Sequence, residues 1–271
     1  MCALVGSVLH TMADGEESIK GVSLLDNLLF VLRDKSSEQI EVYDKDSSCL
    51  QRCFTVDRLC RLADIVVCAH YRCCYISNYG GNFVHRLALA DARVTQWQVN
   101  DDPWYVSVTG RHSVLVTYSR FHSVQEYTTD GQLIRQLQLP PDVTHPWYAI
   151  QLFSGEFIVC CGGSFDPLHG VCLISSDGQL VKSYGGPKGS GSQQMDVPIY
   201  LAVDRNGFVF VADRNNFRVL LLSPSLTYIR DIVTPDQLHG EPERLCLDAG
   251  ESRLYVAVNK SKRRQIVVVR V

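Results

Sequence analysis

Thiols, imidazoles and an aromatic–basic set are the side chains of this sequence that could do chemistry. Eleven cysteines are present: Cys2, Cys49, Cys53, Cys60, Cys68, Cys73, Cys74, Cys160, Cys161, Cys172 and Cys246. Their number is odd and no Cys-x-x-Cys pair occurs, so dithiol redox chemistry is not spelled out. The nearest zinc-like grouping, Cys49, Cys53, Cys60 and His70, has the spacing of no common zinc knuckle. We expect free thiols that pack as small hydrophobes in a reducing, cytoplasmic compartment. Disulfides are the alternative if the chain is secreted. No Lys or Arg precedes Lys20, whereas a secretory leader starts basic. Ser154-Gly155 and Ser190-Gly191 lack the Gly-x-Ser-x-Gly frame of a hydrolase elbow. The Gly185–Ser192 run lacks the Gly-Lys-Ser/Thr ending of a phosphate loop. No catalytic residue, metal ligand or cofactor is therefore expected, and the chain reads as a non-enzyme.

A second set of residues suits recognition. Arg33, Arg120 and Arg214 alternate along the chain with Trp104, Tyr105, Trp147, Tyr148 and Tyr200. Aromatic faces interleaved with cations suit a protein or peptide partner, and also single-stranded RNA, whose bases stack on such rings. Lys35, His122, Lys260, Lys262, Arg263 and Arg264 add basic character, and Asp34, Asp101, Asp102, Asp142, Asp166 and Glu241 offset it. Mixed charge favours protein over RNA, and Lys260–Arg264 is the only dense basic run. The whole chain has 271 residues, is 46% hydrophobic and 20% charged, and has a net charge of −3. That composition builds a globular core, and a net negative chain has no general affinity for nucleic acid. No apolar run reaches the roughly 20 residues of a membrane-spanning helix.

The elements that position these residues are repeats. A short apolar strand recurs as Leu28–Leu32, Cys73–Ser77, Ser113–Thr117, Glu156–Cys160, Phe208–Ala212 and Arg253–Ala257. Its central residues are Val31, Ile76, Val116, Val159, Val211 and Val256, a step of 40 to 52 residues. Pro103, Pro146, Pro198 and Pro242 repeat at a similar step and each precedes another apolar strand. Proline is tolerated at the first residue of a strand. Asp26-Asn27, Ser154-Gly155 and Asn206-Gly207 supply turns between the first and second strands, and Asp130-Gly131 and Asp177-Gly178 between the third and fourth. No segment has sustained helical periodicity. Four antiparallel strands per forty-odd residues is the blade of a β-propeller. The sequence therefore predicts an all-β, six-bladed propeller occupying residues 1–271 as a single domain and a monomer. Its blades are expected at 20–56, 62–99, 104–139, 147–185, 197–233 and 243–271. The sixth repeat has only three strands, so the N-terminal strand within 1–12 is expected to complete it and close the ring. In such a ring the strand-two-to-three loops and the connections between blades share one face, where the aromatic–basic set falls.

The fifth repeat, Val197-Pro-Ile-Tyr-Leu-Ala-Val-Asp204, then Asn206-Gly207, Phe208-Val-Phe-Val-Ala-Asp213 and Asn216-Phe-Arg218-Val219, resembles the NHL repeat. The preceding Tyr184–Ser192 stretch is similar to that family's glycine-rich connector, and blade two keeps part of the pattern at Asn78 and Asn82–Arg86. The absence of Gly-His and Trp-Asp pairs separates the chain from WD40 propellers. Many NHL propellers are the C-terminal module of tripartite-motif ubiquitin ligases and recruit protein or RNA targets. The resemblance thus implies a recognition or scaffold module that recruits targets for a ligase and does not itself catalyse. Asp213, Asn216 and Arg218 of the motif are expected to hold the blade together. Related propellers are metal-dependent enzymes of amidating-lyase or lactonase type, and that is the competing implication. Their zinc or calcium needs imidazoles or carboxylates converging from several blades. His10, His70, His85, His112, His122, His145, His169 and His239 put no three at equivalent inner-strand positions, and the inner strands carry few carboxylates.

Overall fold

The computed structural model describes residues 6–34, 39–55, 61–100, 102–259 and 263–271. Cys2, Lys35, Cys60, Asp101, Lys260 and Lys262 lie outside the described residues. After β1 (Ser7–Gly15), blade one is β2 (Ile19–Leu25), β3 (Leu28–Arg33), β4 (Gln39–Asp44) and β5 (Leu50–Thr55). Blade two is β6 (Leu62–Cys68), β7 (Cys73–Asn78), β8 (Phe83–Ala88) and β9 (Val94–Gln98). Blade three is β10 (Tyr105–Val108), β11 (Val114–Tyr118), β12 (Ser123–Tyr127) and β13 (Leu133–Gln138). Blade four is β14 (Pro146–Gln151), β15 (Phe157–Cys161), β16 (Leu168–Ile174) and β17 (Leu180–Pro187). Blade five is β18 (Pro198–Val203), β19 (Val209–Asp213), β20 (Arg218–Leu222) and β21 (Tyr228–Val233). Blade six is β22 (Glu241–Asp248), β23 (Arg253–Asn259) and β24 (Arg264–Arg270), completed by β1 on its outer edge. The chain is thus a six-bladed propeller of four-stranded antiparallel blades.

The ring closes as the three-strand last repeat requires. β1 runs antiparallel to β24 from Ser7 opposite Arg270 to Gly15 opposite Arg264. That pairing covers an edge that would otherwise template aggregation. Lys45 Nζ of blade one lies 2.6 Å from Asp248 Oδ2 of blade six and ties the closure. One short helix, α1 (Pro235–Leu238), was not legible in the periodicity because it is a single turn. Its Gln237 Nε2 donates to the Gly6 carbonyl and anchors the chain just before β1.

Burial explains why the second strands dominate the sequence pattern. β7, β11, β15 and β19 are buried along their whole length, sandwiched between neighbouring blades, so they read as continuous apolar runs. Outer strands such as β5 and β13 are mostly exposed and correspondingly polar. Gly131 turns β12 into β13 at φ +92°, and a Cβ there would strike the Trp97 ring of blade two.

The innermost strands carry a shared irregularity that sets up the centre of the molecule. A register shift, the mark of a β-bulge, falls between Ile19 and Gly21, Leu62 and Asp64, Pro146 and Tyr148, Pro198 and Tyr200, and Pro242 and Arg244. β10 opens at the equivalent residue, Tyr105. A bulge re-aims the side chains beside it. The residues after it, Gly21, Asp64, Tyr105, Tyr148, Tyr200 and Arg244, pair with Leu32, Ser77, Thr117, Cys160, Ala212 and Ala257. Each partner lies one past the central residue of its second strand, so the six form one level of the ring, one per blade.

Candidate functional site

At that level the central channel is filled. Tyr148 and Tyr200 stack with ring centroids 3.8 Å apart, and Tyr105 stands edge-on to both at 6.1 and 6.0 Å. The Arg244 guanidinium lies over Tyr105 at 4.7 Å and over Tyr200 at 5.4 Å, a cation–π arrangement. Its Nε is 3.5 Å from Asp64 Oδ1, and its outer nitrogens donate to the carbonyls of Glu243 and Ala63. The Tyr200 hydroxyl donates to Asp64 at 3.3 Å, and the Val106 N–H donates to the same carboxyl at 3.3 Å. Gly21 makes room for the pair, because a Cβ there would come within 3.1 Å of Asp64 Oδ1 and 2.6 Å of Ile65.

Asp64 is fully buried, and the Tyr200 and Val106 donors both sit at the long end of hydrogen-bond range. Burial therefore prevails over the nearby Arg244 charge, and the carboxyl is pushed up to about 7. Burial opposes the charge on Arg244, but the carboxyls of Asp64 and Glu243 beside it favour the charged form, and the guanidinium stays protonated. The Tyr105, Tyr148 and Tyr200 hydroxyls are all pushed up by burial and stay neutral donors.

Above this plug, at the start of the inner strands, opens a cavity of about 390 Å³. Lys20, Tyr79, Trp104, Tyr105, Trp147, Arg214, Glu243, Arg244 and Asn259 line it. Tyr79 stacks on Trp104 at 4.7 Å, and Trp147 Nε1 donates to the Gly162 carbonyl, so both indoles are fixed. Arg214 Nε donates to Glu243 Oε1 at 2.8 Å and Nη2 to Glu241 Oε2 at 2.7 Å. Adjacent residues of a regular strand point to opposite faces. Glu243 and Arg244 both reach the cavity because the bulge lies between Pro242 and Arg244.

The aromatic–basic set divides. Trp104, Tyr105, Trp147 and Arg214 line the mouth. Tyr148 and Tyr200, expected on its rim, are buried in the plug beneath it, because the bulge turns them inward. Arg33 does not converge with them. It is buried, with Nε 2.6 Å from Glu41 Oε2 and its other nitrogens on the Glu17 and Ala13 carbonyls. Arg120 is exposed and paired with Asp102 at 3.4 Å. Sequence reasoning missed Lys20, Asp64, Tyr79, Glu243, Arg244 and Asn259. A usable signal existed: Tyr105, Tyr148, Tyr200 and Arg244 each stand two residues after the repeating proline.

Asp213, Asn216 and Arg218 form a clasp. Asp213 accepts from Asn216 Nδ2, Arg218 Nε and the Asp196 N–H, while Asn216 and Arg218 also bond the Gly189 and Gln194 carbonyls. They pin the glycine-rich connector to blade five. Among the described residues no group of three or more His, Cys, Asp or Glu is placed to hold a metal ion. Among the described cysteines only Cys49 and Cys53 are exposed, and Cys161 and Cys172 lie 3.8 Å apart as thiols. Burial pushes the Cys74 and Cys160 thiols up, and Cys246 to about 12. Brief labelling of the native protein with a thiol reagent should therefore mark Cys49 and Cys53 and spare Cys74, Cys160 and Cys246. In denaturant without reductant all eleven should react, and peptide mapping reads both results. Equal native labelling of Cys160 would contradict the packing.

No protein-family model matches the chain, and no curated protein matches it. Solved structures do. A catalytically inactive virginiamycin B lyase from Staphylococcus aureus with quinupristin is similar at TM-score 0.69 and 8% identity, over 97% of this chain and 98% of that one. A streptogramin B lyase is similar at 0.65 and 13%, over 96% and 85%. Kuenenia stuttgartiensis hydrazine synthase is similar at 0.67 and 12%, over 94% and 96%. At these identities the likeness shows the fold, a six-bladed propeller, and does not single out the NHL type. It also overturns the expectation of a non-enzyme: the frame that this chain shares over 96–97% of its length is one on which lyases are built. Among the described residues no helix is long and apolar enough to cross a membrane.

Proposed function

We propose that the channel mouth is the active site of a propeller enzyme that performs acid–base chemistry on a small organic substrate. Glu243 is the carboxylate that takes the proton. Arg244 and Arg214 meet the negative charge that develops on the substrate, and Trp104 and Trp147 wall its apolar part. The observation that carries this reading is the bulge in β22, which delivers an adjacent carboxylate and guanidinium into one cavity of ligand size. The fold shared with streptogramin lyases supports it as fold likeness only.

Quinupristin, the compound held by one similar structure, and simple lactones are the first substrates to offer. Mass spectrometry of the incubations should show conversion by the wild type and a loss of about 100-fold or more in Glu243→Gln, the scale of a missing general base. Conversion unchanged in Glu243→Gln, or none of any compound by the wild type, would count against the reading.

A further inference from the structure

Three phenylalanines stand in water on the mouth face, and they occupy equivalent places. Phe121, Phe165 and Phe217 lie in the strand-two-to-three loops of blades three, four and five. Phe165 is fully exposed, Phe121 is 53% exposed and Phe217 is 41% exposed. Their loops are pinned. Phe121 is held by Gln138 Nε2, which donates to its carbonyl, and by Leu139 N–H on the His122 carbonyl. Phe165 sits inside the turn closed by Asp166 N–H on the Gly163 carbonyl and by Gly163 N–H on the Asp166 carboxylate. Phe217 is held at φ +55°, a conformation a bulky residue rarely adopts, between two residues that clasp Asp213.

The three loops form one continuous surface. The His122 ring packs 6.4 Å from that of His145, whose Nδ1 is 2.6 Å from Asp166 Oδ2 beside Phe165. Lys188 donates to the Ser164 carbonyl on the other side of Phe165 and pairs with Asp196, which accepts from Asn215 two residues before Phe217. Charged side chains beside the rings are paired with one another: Arg120 with Asp102, His145 with Asp166, and Lys188 with Asp196. A partner is offered aromatic area whose charged neighbours are already paired. Among the described residues beside the rings a polyanion finds Arg120 and Lys188 already paired, whereas an uncharged apolar chain finds rigid rings.

We propose that the arc of Phe121, Phe165 and Phe217 docks an extended, uncharged peptide segment of a protein partner rich in aliphatic or proline residues. The site is separate from the mouth chemistry and stands or falls independently of it. The test selects binders from a random peptide library displayed on phage, using the whole chain as bait. It then measures the selected synthetic peptides against the wild type, Phe165→Ser, and the triple change Phe121→Ser, Phe165→Ser, Phe217→Ser. Thermal melting of each variant should match the wild type, because the rings are exposed. Selected peptides should be poor in charge. They should weaken about tenfold with Phe165→Ser and further with the triple change. Their affinity should hold as salt rises. Failure to select any peptide, or selected peptides that bind all three proteins alike, would overturn the proposal. So would a uridine 12-mer that binds the arc with steep salt dependence, which would assign the face to RNA. Should Phe165→Ser alone melt with the wild type while the triple variant does not fold, the single variant decides the matter.

Discussion

Asp64→Asn will make the protein more stable than the wild type at pH 8 and will leave it nearly unchanged at pH 4. The direction follows from linkage. Burial raises the Asp64 carboxyl in the folded chain to about 7, while the unfolded chain keeps the ordinary value of 3.8. Between those two values the folded state holds a proton that the unfolded state has released. The Asp64 contribution to wild-type stability therefore falls as pH rises through that window and is flat above it. The slope is about 1.4 kcal/mol per pH unit, so the full effect is on the order of 4 kcal/mol. Asparagine still accepts from Tyr200 and Val106 but has no proton to lose, so the difference between the two proteins isolates this one group. Denaturant melts of both proteins at pH 4.5, 6 and 8 read it directly. A difference that stays constant with pH would mean that Asp64 is ionised throughout and that Arg244 compensates it fully.

Arg33→Met will lower stability by about 3–5 kcal/mol, the cost of leaving one member of a buried ion pair alone. Glu41 would lose its guanidinium while staying buried, with the Tyr43 hydroxyl as a remaining donor at 2.8 Å. In a chain of this size that is a fall in melting temperature of roughly 10 °C. Adding Glu41→Gln should restore a large part of it, because the stranded charge is then removed as well. A melting temperature within about 2 °C of the wild type would show that Arg33 is free to turn outward. It would return this residue to the binding face on which the sequence placed it.

How much of this was legible before the structure depends on where the physical signal lies. The six blades were legible because second strands such as β7 and β19 are squeezed between neighbours and must be apolar throughout. The missing outer strand was legible from the short final repeat, and β1 supplies it. The plug was legible only in part. Tyr105, Tyr148 and Tyr200 stood out beside their prolines, but Asp64 and Gly21 sit in blades without that proline. Nothing local to Arg244 announces that the ring brings it to Asp64. Arg33 misled because nothing local announces that Glu41 and two backbone carbonyls will draw it inward. The phenylalanine arc was invisible for the opposite reason: Phe residues are usually buried, and nothing in composition marks the ones that are not. The NHL-like pattern of blade five reads in space as a clasp on the glycine-rich connector.

The mouth as the seat of chemistry is the central claim, and a crystallographic soak of the full chain with a library of small organic fragments tests it most directly, since it surveys all cavities at once. The account predicts that fragments gather between Trp104 and Trp147, with their polar ends on Glu243, Arg244 or Arg214. It also predicts that this occupancy disappears when Arg244 is changed to Met. Fragments that collect instead on the opposite face, in the cavity of about 440 Å³ around Phe153, while the mouth stays empty in the wild type, would contradict it.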